Sequence, residues 1–429
     1  MNAPQVPKTN PTPQPRCLRL LKVAGPALLP LLGLVIWLHP HPQNISPPWL
    51  PEEAGPAPVP AMNAPLAAPQ AVATSTASEA GPPVLTAAQL VAGKVSQFAR
   101  SRHEMVHAMA RRFNVAVPAE VDLFFGDAQA GRWDDLKARF QAMRQRLEEE
   151  PEPRELRVLW PAILETFGVA EAAHDWPAQK LLDYGEAILG SLRPGMVYVG
   201  GTDAGRFIPT LLNETGSGER HIVLTQSALA AQNYLDYLSF LYGDRMVPLT
   251  AADSQRAFQE YLHDARQRLE HDQQFPDQQP RLRPGEDVRL VGNSIQVAGQ
   301  VAVSAINEAL LRGLMDKNPG LAFAFEESFP FDSLRADAST LGPILELRAQ
   351  DSLNPLTAER ASETVAYWEA TARRLQSQSA KDEENLIGPA YARMAAAQAG
   401  LLEHHGYAAE AEKALRLATE IGPASPEAV

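Results

Sequence analysis

The chain has 429 residues, of which 45% are hydrophobic, with 51 acidic and 38 basic side chains and a net charge of −13. This length allows two or three domains, and the hydrophobic content suffices for a globular core. Because such an acidic chain repels the phosphates of nucleic acid, we expect no nucleic-acid partner. The single cysteine, Cys17, lies near the amino terminus. The rest of the chain therefore has neither a disulfide nor a cysteine metal site.

The first 84 residues differ in composition from the rest. Residues 1–22 carry four basic side chains and no acidic one, which predicts a cytoplasmic basic segment. Residues 23–38 are uncharged and mostly apolar, and we interpret them as a transmembrane anchor, with a cleaved signal peptide as the alternative. Residues 39–84 are rich in proline and alanine, which is typical of a disordered tether. We therefore expect a single-pass protein of the inner membrane with a periplasmic body.

Residues 85–192 predict a helical segment, because apolar residues recur there at helical spacing. The expected helices lie at 86–113, 118–128, 133–149, 155–168 and 176–192. The first one contains His103-Glu104-Met105-Val106-His107, a literal H-E-x-x-H.

On a helix, His103 and His107 share one face and suit zinc, with Glu104 as the base of a hydrolase. The expected third ligand is Glu120 or one of Glu148–Glu150. The same helix also carries several basic residues: Arg100, Arg102, Arg111 and Arg112. The alternative is a chance match, since only three positions of the pattern are fixed and no third histidine follows at a fixed spacing.

Residues 193–352 alternate short apolar runs with helical patterns. This alternation predicts an α/β domain with a Rossmann-like, mostly parallel sheet flanked by helices. The expected strands lie at 196–199, 221–225, 321–325 and 344–347, with two more joined at Gly292-Asn293 within 288–297. The expected helices lie near 207–212, at 229–242, from about 253 to 269, and at 299–316.

Polar residues follow three of these strands. A glycine-rich loop, Gly200 to Arg206, follows the first, Gln226 follows the second, and Glu326-Glu327 follows the strand at 321–325. Because the carboxyl ends of parallel strands meet at one edge of a sheet, we expect these residues to surround one ligand. The candidate ligand-binding residues are Gly200, Gly201, Thr202, Asp203, Arg206, Gln226, Glu326 and Glu327.

The chemistry of this edge leaves several interpretations open. Loop amides and the Arg206 guanidinium suit an anion such as a phosphate or a carboxylate. Asp203 with Glu326 or Glu327 suits an acid–base pair acting on a glycan or an activated sugar. Alternatively, the loop is a tight turn in which Asp203 caps a helix and pairs with Arg206, and the glutamates are a solvated strand end.

Residues 353–429 return to helical patterns, at 356–377, 388–405 and 407–421. The small residues, turn and stop around Gly406 and Pro423 are typical of one tetratricopeptide (TPR) repeat. A single repeat cannot bury its own apolar face. These TPR-like helices must therefore pack on helix 356–377, on the α/β body or on a protein partner.

Several motifs together resemble a family of uncharacterised bacterial envelope proteins. They include Gly-Gly-Thr-Asp-Ala-Gly-Arg-Phe from Gly200, Thr-Gln-Ser-Ala-Leu-Ala from Thr225, and Glu-Glu-Ser-Phe-Pro-Phe-Asp from Glu326. The family has G-G-T-D-P-G-R-F and T-Q-N-A-L-A at the first two. Related domains look like the soluble part of multi-spanning proteins similar to protein O-mannosyltransferases, often with TPR repeats. The resemblance implies an extracytoplasmic α/β domain and transfers no catalytic residue.

The leading functional hypothesis is a membrane-anchored binding or scaffolding protein. It would hold a small polar or anionic ligand at loop 200–206 and a protein partner at the C-terminal helices. The alternatives are a glycan or activated-sugar enzyme using Asp203 and Glu326 or Glu327, and a zinc hydrolase through His103, Glu104 and His107. The sequence names no cofactor.

Overall fold

The structure is a computed structural model that describes residues 85–149, 153–292, 294–327, 331–348, 355–378, 384–423 and 425. The predicted basic segment, anchor and tether, at 1–22, 23–38 and 39–84, lie outside these described residues.

The described elements are mostly helical, and a small sheet lies in the middle of the sequence. The helices are α1 (Ala87–Phe113), α2 (Ala119–Ala130), α3 (Trp133–Glu149), α4 (Arg154–Asp175), α5 (Ala178–Leu189), α6 (Asp203–Thr215), α7 (Gln232–Tyr242), α8 (Ala251–Gln274), α9 (Gln300–Lys317), α10 (Ala358–Gln378), α11 (Glu384–His404) and α12 (Ala408–Ile421). The strands are β1 (Val197–Gly200), β2 (Ile222–Thr225), β3 (Asp287–Val291), β4 (Ser294–Ala298), β5 (Phe323–Phe325), β6 (Ser339–Leu341) and β7 (Ile344–Leu347).

Local capping defines the long helix α1. The Thr86 hydroxyl accepts a hydrogen bond from the Gln89 amide, and the Gln89 side chain accepts one from the Thr86 amide, which completes a capping box. The helix ends at Asn114, which has a φ of 50°. Asparagine tolerates this left-handed conformation better than most other residues do. The chain then reverses into α2, so that α1 and α2 pack side by side.

The central sheet has the strand order β2-β1-β5-β7-β6. β1 lies parallel to both β2 and β5, whereas β7 pairs antiparallel with β5 and with β6. The prediction of an α/β fold is therefore confirmed at the level of class, but the expected mostly parallel sheet is wrong: the sheet is mixed. The physical reason is the two-residue turn at Gly342-Pro343, where Gly342 has a φ of 56° and the chain reverses directly into β7.

Helices cover both faces of this sheet. On one face, Val197 and Val199 of β1 share a core with apolar residues of α7, α8 and α9. On the other face, Tyr198 packs with residues of α5, α6 and α11 and with Phe98 of α1. The predicted strand pair around Gly292 forms as β3 and β4, but the two make a separate ribbon beside α8 and α9 and do not join the sheet.

The C-terminal helices pack on the sheet through a buried amide. The Gln398 side chain is fully buried on α11 and donates to the carbonyl oxygens of Gly342 and Ile344, at 2.9 and 2.7 Å. Its own oxygen accepts the indole N–H of Trp368 on α10, at 2.8 Å. Helices α10 to α12 therefore find their apolar partners in one another and in the α/β body.

No helix among the described residues is long and apolar enough to cross a membrane. The expectation of a single-pass inner-membrane protein with a periplasmic body is thereby contradicted. The segment on which it depended, 23–38, lies outside the described ranges.

We predict that Gln398→Ala lowers the free energy of unfolding by about 2–4 kcal/mol, because the Trp368 indole and two carbonyl groups lose a buried partner. The measurement is denaturant unfolding of the purified protein. Glu403→Ala, at an exposed position of the same helix, is the control and should change stability by less than about 0.5 kcal/mol. A Gln398→Ala protein as stable as the control would show that this amide does not hold the C-terminal helices on the sheet.

Candidate functional site

The glycine-rich loop after β1 is folded around the side chain of Glu326. One oxygen of this carboxylate, Oε2, accepts the backbone N–H groups of Gly201 and Thr202, both at 2.7 Å. The other oxygen, Oε1, accepts the Thr202 hydroxyl at 2.8 Å. The register positions Glu326 for this, since β5 lies parallel to β1 and the Glu326 amide donates to the Val199 carbonyl. The protein's own carboxylate thus occupies the loop donors that the sequence assigned to an anion.

Two glycines permit this close approach. A Cβ on Gly205 would lie 2.2 Å from Oε2 of Glu326, and a Cβ on Gly200 would lie 2.7 Å from the Gly205 carbonyl oxygen. Thr202 rather than Asp203 caps α6, because its hydroxyl accepts the Gly205 amide at 2.8 Å. The predicted tight turn therefore forms, with a different capping residue.

Burial dominates the electrostatics of this cluster. It raises the pKa of Glu326, whose exposed fraction is 0%, although the hydrogen bonds from Thr202 and Gly201 act in the opposite direction. Burial also raises the pKa of Tyr184 and of Tyr198, and the neighbouring Glu326 charge adds to both shifts.

Asp203 and Arg206 lie together in the first turn of α6. One guanidinium nitrogen of Arg206 is 3.7 Å from the carboxylate of Asp203, whose side chain is 48% exposed. The Arg206 guanidinium itself is buried and stacks 4.0 Å from the ring centroid of Phe207. Burial lowers the pKa of Arg206, and the charge of Asp203 opposes this shift. The arginine thus points into the protein and pairs with its own helix.

The two remaining strand-end residues are also buried. Gln226 follows β2 and is fully buried at the same edge of the sheet. The Glu327 carboxylate accepts from the Arg335 guanidinium at 3.0 Å and from the Phe331 amide at 3.2 Å. The cavity beside Glu327 has a volume of only about 10 Å³, roughly the space of one water molecule. The structure brings the predicted strand ends to one edge, where Gln226, Glu326 and Glu327 are buried and Asp203 is exposed.

A second cluster forms where α1 meets α2. The Nε2 atoms of His103 and His107 each donate to the same oxygen, Oδ1 of Asp122, at 2.8 and 2.9 Å. These three ligand atoms all lie within 4.8 Å of one another. The three side chains are 28%, 41% and 44% exposed, respectively, so the cluster is open to solvent. Partial burial alone would raise the pKa of Asp122, but the two histidine hydrogen bonds outweigh it and lower that pKa.

Surrounding side chains orient the histidines. The His103 ring stacks on Phe125 of α2 with 5.3 Å between ring centroids. The Gln129 amide nitrogen lies 3.4 Å from His103 Nδ1. A hydrogen-bond partner on the second nitrogen helps to fix the orientation of the imidazole ring, as metal-ligating histidines require.

The third member of the cluster differs from the sequence expectation. Glu120 pairs with Arg146 instead, while Glu148 and Glu149 bond to side chains of their own helix. Glu150 lies outside the described residues. Asp122 was missed because the α1–α2 turn decides which side of α2 faces the histidines. The available signal was the spacing of Asp122, Phe125 and Gln129, which places all three on one face of a helix.

Comparison with known proteins gives no relative for this chain. No protein-family model matches it, and no curated protein or solved structure is significantly similar to it.

We predict that Gly205→Ala destabilises the protein by more than about 2 kcal/mol, because the added methyl group overlaps a buried carboxylate that cannot move away. Gly93→Ala is the matched control, since nothing lies within 4 Å of a Cβ at that position of α1. That change should stabilise by up to about 1 kcal/mol through helix propensity. Thermal and denaturant unfolding of both variants measures the contrast. Equal stabilities would be inconsistent with the clamp around Glu326.

Glu326 should also make stability depend on pH. Because its folded-state pKa is raised above the ordinary 4.5, the native state binds this proton more tightly than the unfolded state does. Its contribution is therefore fully present below pH 4.5 and is lost as the pH rises through the raised pKa. Glu326→Gln removes the titration, so the mutant should gain stability relative to wild type as the pH rises.

The measurement is the unfolding free energy at several pH values for both proteins, with the exposed Glu403→Gln as a control for charge removal. The prediction concerns how the difference in unfolding free energy changes with pH, whatever pH-independent difference the substitution also causes. A stability difference between wild type and Glu326→Gln that stays constant with pH contradicts the prediction.

Proposed function

We propose that this protein binds a divalent transition-metal ion, zinc being the best fit, through His103, His107 and Asp122. The observation that carries the proposal is the convergence of two imidazole nitrogens and one carboxylate oxygen within 4.8 Å. Two nitrogens and one oxygen form a donor set that zinc accepts, with bond lengths near 2.0–2.2 Å. Calcium and magnesium prefer sites made of oxygen alone.

Metal binding requires only a small rearrangement. Ligand atoms around a tetrahedral ion lie about 3.3 Å apart at those bond lengths, whereas each Nε2 is 2.8 or 2.9 Å from Oδ1 of Asp122. The three side chains must therefore move apart by roughly 0.5 Å. The proton on each Nε2 must also leave, so metal and protons compete for the site.

Gln129 can remain a hydrogen-bond partner of His103 when the ring proton moves from Nε2 to Nδ1. In the metal-free arrangement its amide nitrogen donates to His103 Nδ1, which is therefore an acceptor. When Nε2 binds the metal, Nδ1 carries the proton and needs an acceptor instead. Rotation of the Gln129 amide presents its oxygen to the same atom, so one side chain serves both tautomers of His103.

Three protein ligands leave a coordination position for water, and this supports a second candidate, hydrolysis. A metal-bound water has a lowered pKa and becomes a nucleophile at neutral pH. Glu104, exposed beside the histidines on α1, is the residue that would accept its proton. A panel of ester and peptide substrates tests this candidate, and Glu104→Gln should abolish any zinc-dependent turnover without removing the metal.

The proposal does not extend to the two-carboxylate enzyme. Glu326 and Glu327 are buried and bound by the protein's own donors, so a glycan has no access to them.

Ligand binding at loop 200–206 stays a prediction, and its ligand would have to displace Glu326. Binding of a protein partner by the C-terminal helices also stays a proposal, as do the Rossmann-like and TPR-like assignments and the envelope-family resemblance. Motif order and helix spacing support them.

We predict that the purified full-length chain binds about one equivalent of zinc, and that His103→Ala, His107→Ala or Asp122→Ala each weaken binding at least about tenfold. Titration calorimetry and elemental analysis after desalting measure this. His263→Ala, which removes an exposed histidine from another helix, is the control and should leave binding unchanged. Acidification should weaken binding, because ligating imidazoles must be neutral. Zinc retention that is equal in all four variants would refute the site.

A further inference from the structure

The metal cluster lies on a basic stripe of α1. Arg100, Glu104, His107 and Arg111 follow one another at spacings of four, three and four residues, which places them along a single face of the helix. His103 borders this face and turns toward α2, where Asp122 lies. The core of the protein lies on the opposite side of α1, where Phe98, Val106 and Met109 are buried.

Two arginines flank the histidines along this stripe. Arg100 precedes His103 by three residues and Arg111 follows His107 by four, so along the helix axis they lie about 4.5 and 6 Å from the nearer histidine. Both are exposed, and neither makes an ion pair or hydrogen bond with the residues that the structure describes. In a chain with a net charge of −13, two unpaired cations on the same face as the metal ligands mark a local attraction for anions.

The neighbouring face of α2 leaves room beside the cluster. Gly126 follows Asp122 by one helical turn, and nothing lies within 4 Å of a Cβ built there. Glycine in the interior of an exposed helix costs about 1 kcal/mol relative to alanine. Glycine at this position therefore has a cost in stability, and it leaves open space on α2 one helical turn from Asp122.

We propose that the metal at His103, His107 and Asp122 takes a tetrahedral oxyanion of the phosphate class as its external ligand, held on either side by Arg100 and Arg111. The inference rests on the proposed metal site and adds its ligand chemistry. The ion binds one oxygen directly, and each guanidinium forms charge-assisted hydrogen bonds to the others. Glu104 lies on the same stripe and makes no ion pair among the described residues, so its charge works against the anion.

The test is calorimetric titration of inorganic phosphate into full-length protein that has been loaded with zinc and desalted. Phosphate should bind the zinc form at least about tenfold more tightly than the metal-free form. Arg100→Gln and Arg111→Gln should each weaken phosphate binding about threefold, as expected for exposed charge pairs, and leave zinc affinity unchanged. Arg112→Gln is the matched control, because Arg112 is exposed on α1 but lies off the stripe, and it should have no effect.

Two further variants sharpen the result. Glu104→Gln should strengthen phosphate binding, and Gly126→Leu should weaken it by filling the open space beside Asp122, both with zinc affinity unchanged. Phenyl phosphate and vesicles containing phosphatidic acid then separate a soluble phosphate ester from a lipid headgroup, and binding of either with the same arginine dependence supports the inference.

Zinc binding without phosphate binding, or phosphate binding that survives both arginine substitutions, would overturn the inference and leave the metal site standing. Failure of zinc itself to bind would overturn the metal site, and the oxyanion proposal with it.

Discussion

The arrangement of the sheet depends on one buried carboxylate. Glu326 ends β5 and receives two backbone N–H groups and one hydroxyl from the loop that ends β1, so it joins the two central parallel strands to the start of α6. These hydrogen bonds satisfy donors at the helix N-terminus that would otherwise remain unpaired. The positive end of the helix dipole also favours a negative charge here and so opposes part of the burial effect that raises the pKa of Glu326. Gly200 and Gly205 are the residues that this contact requires, since side chains there would fill the space of the carboxylate and its loop.

The contrast between the two clusters explains why one of them is the better candidate for a site. At the sheet edge, the Glu326 carboxylate is paired with loop donors, and Gln226, Glu326 and Glu327 are buried. Between α1 and α2, two histidines share a single acceptor on an exposed surface, near two arginines that pair with none of the described residues. A ligand gains more from a site whose groups are accessible and incompletely paired than from one where it must displace buried hydrogen bonds.

The sequence predicted local structure well, and tertiary contacts poorly. Apolar periodicity located the described helices and most strands, because it reports which face is buried, although α4 continues to Asp175, seven residues beyond its predicted end. It missed β6, a strand of three residues, and it could not give the direction of β7, which depends on the turn at Gly342.

At the site, the motif gave His103 and His107, which lie on one helix. Asp122 comes from another helix, so its position depends on the packing of α1 against α2. Likewise, nothing local to Glu326 showed that its partners would be amides 125 positions earlier in the chain.

The contact between Gln398 and β7 has a consequence for how the chain acquires its fold. The carbonyl groups of Gly342 and Ile344 receive this partner from a residue more than fifty positions further on. At the other end of the sequence, Val91 and Phe98 belong to the same core as Trp368 and Tyr391. The core around Val91 and Phe98 is therefore completed only when the C-terminal helices have been synthesised, whereas the later part of α1 packs on the nearby helices α2 to α4. Such distant pairings slow folding and prolong the exposure of apolar surface in partly folded intermediates, which favours aggregation.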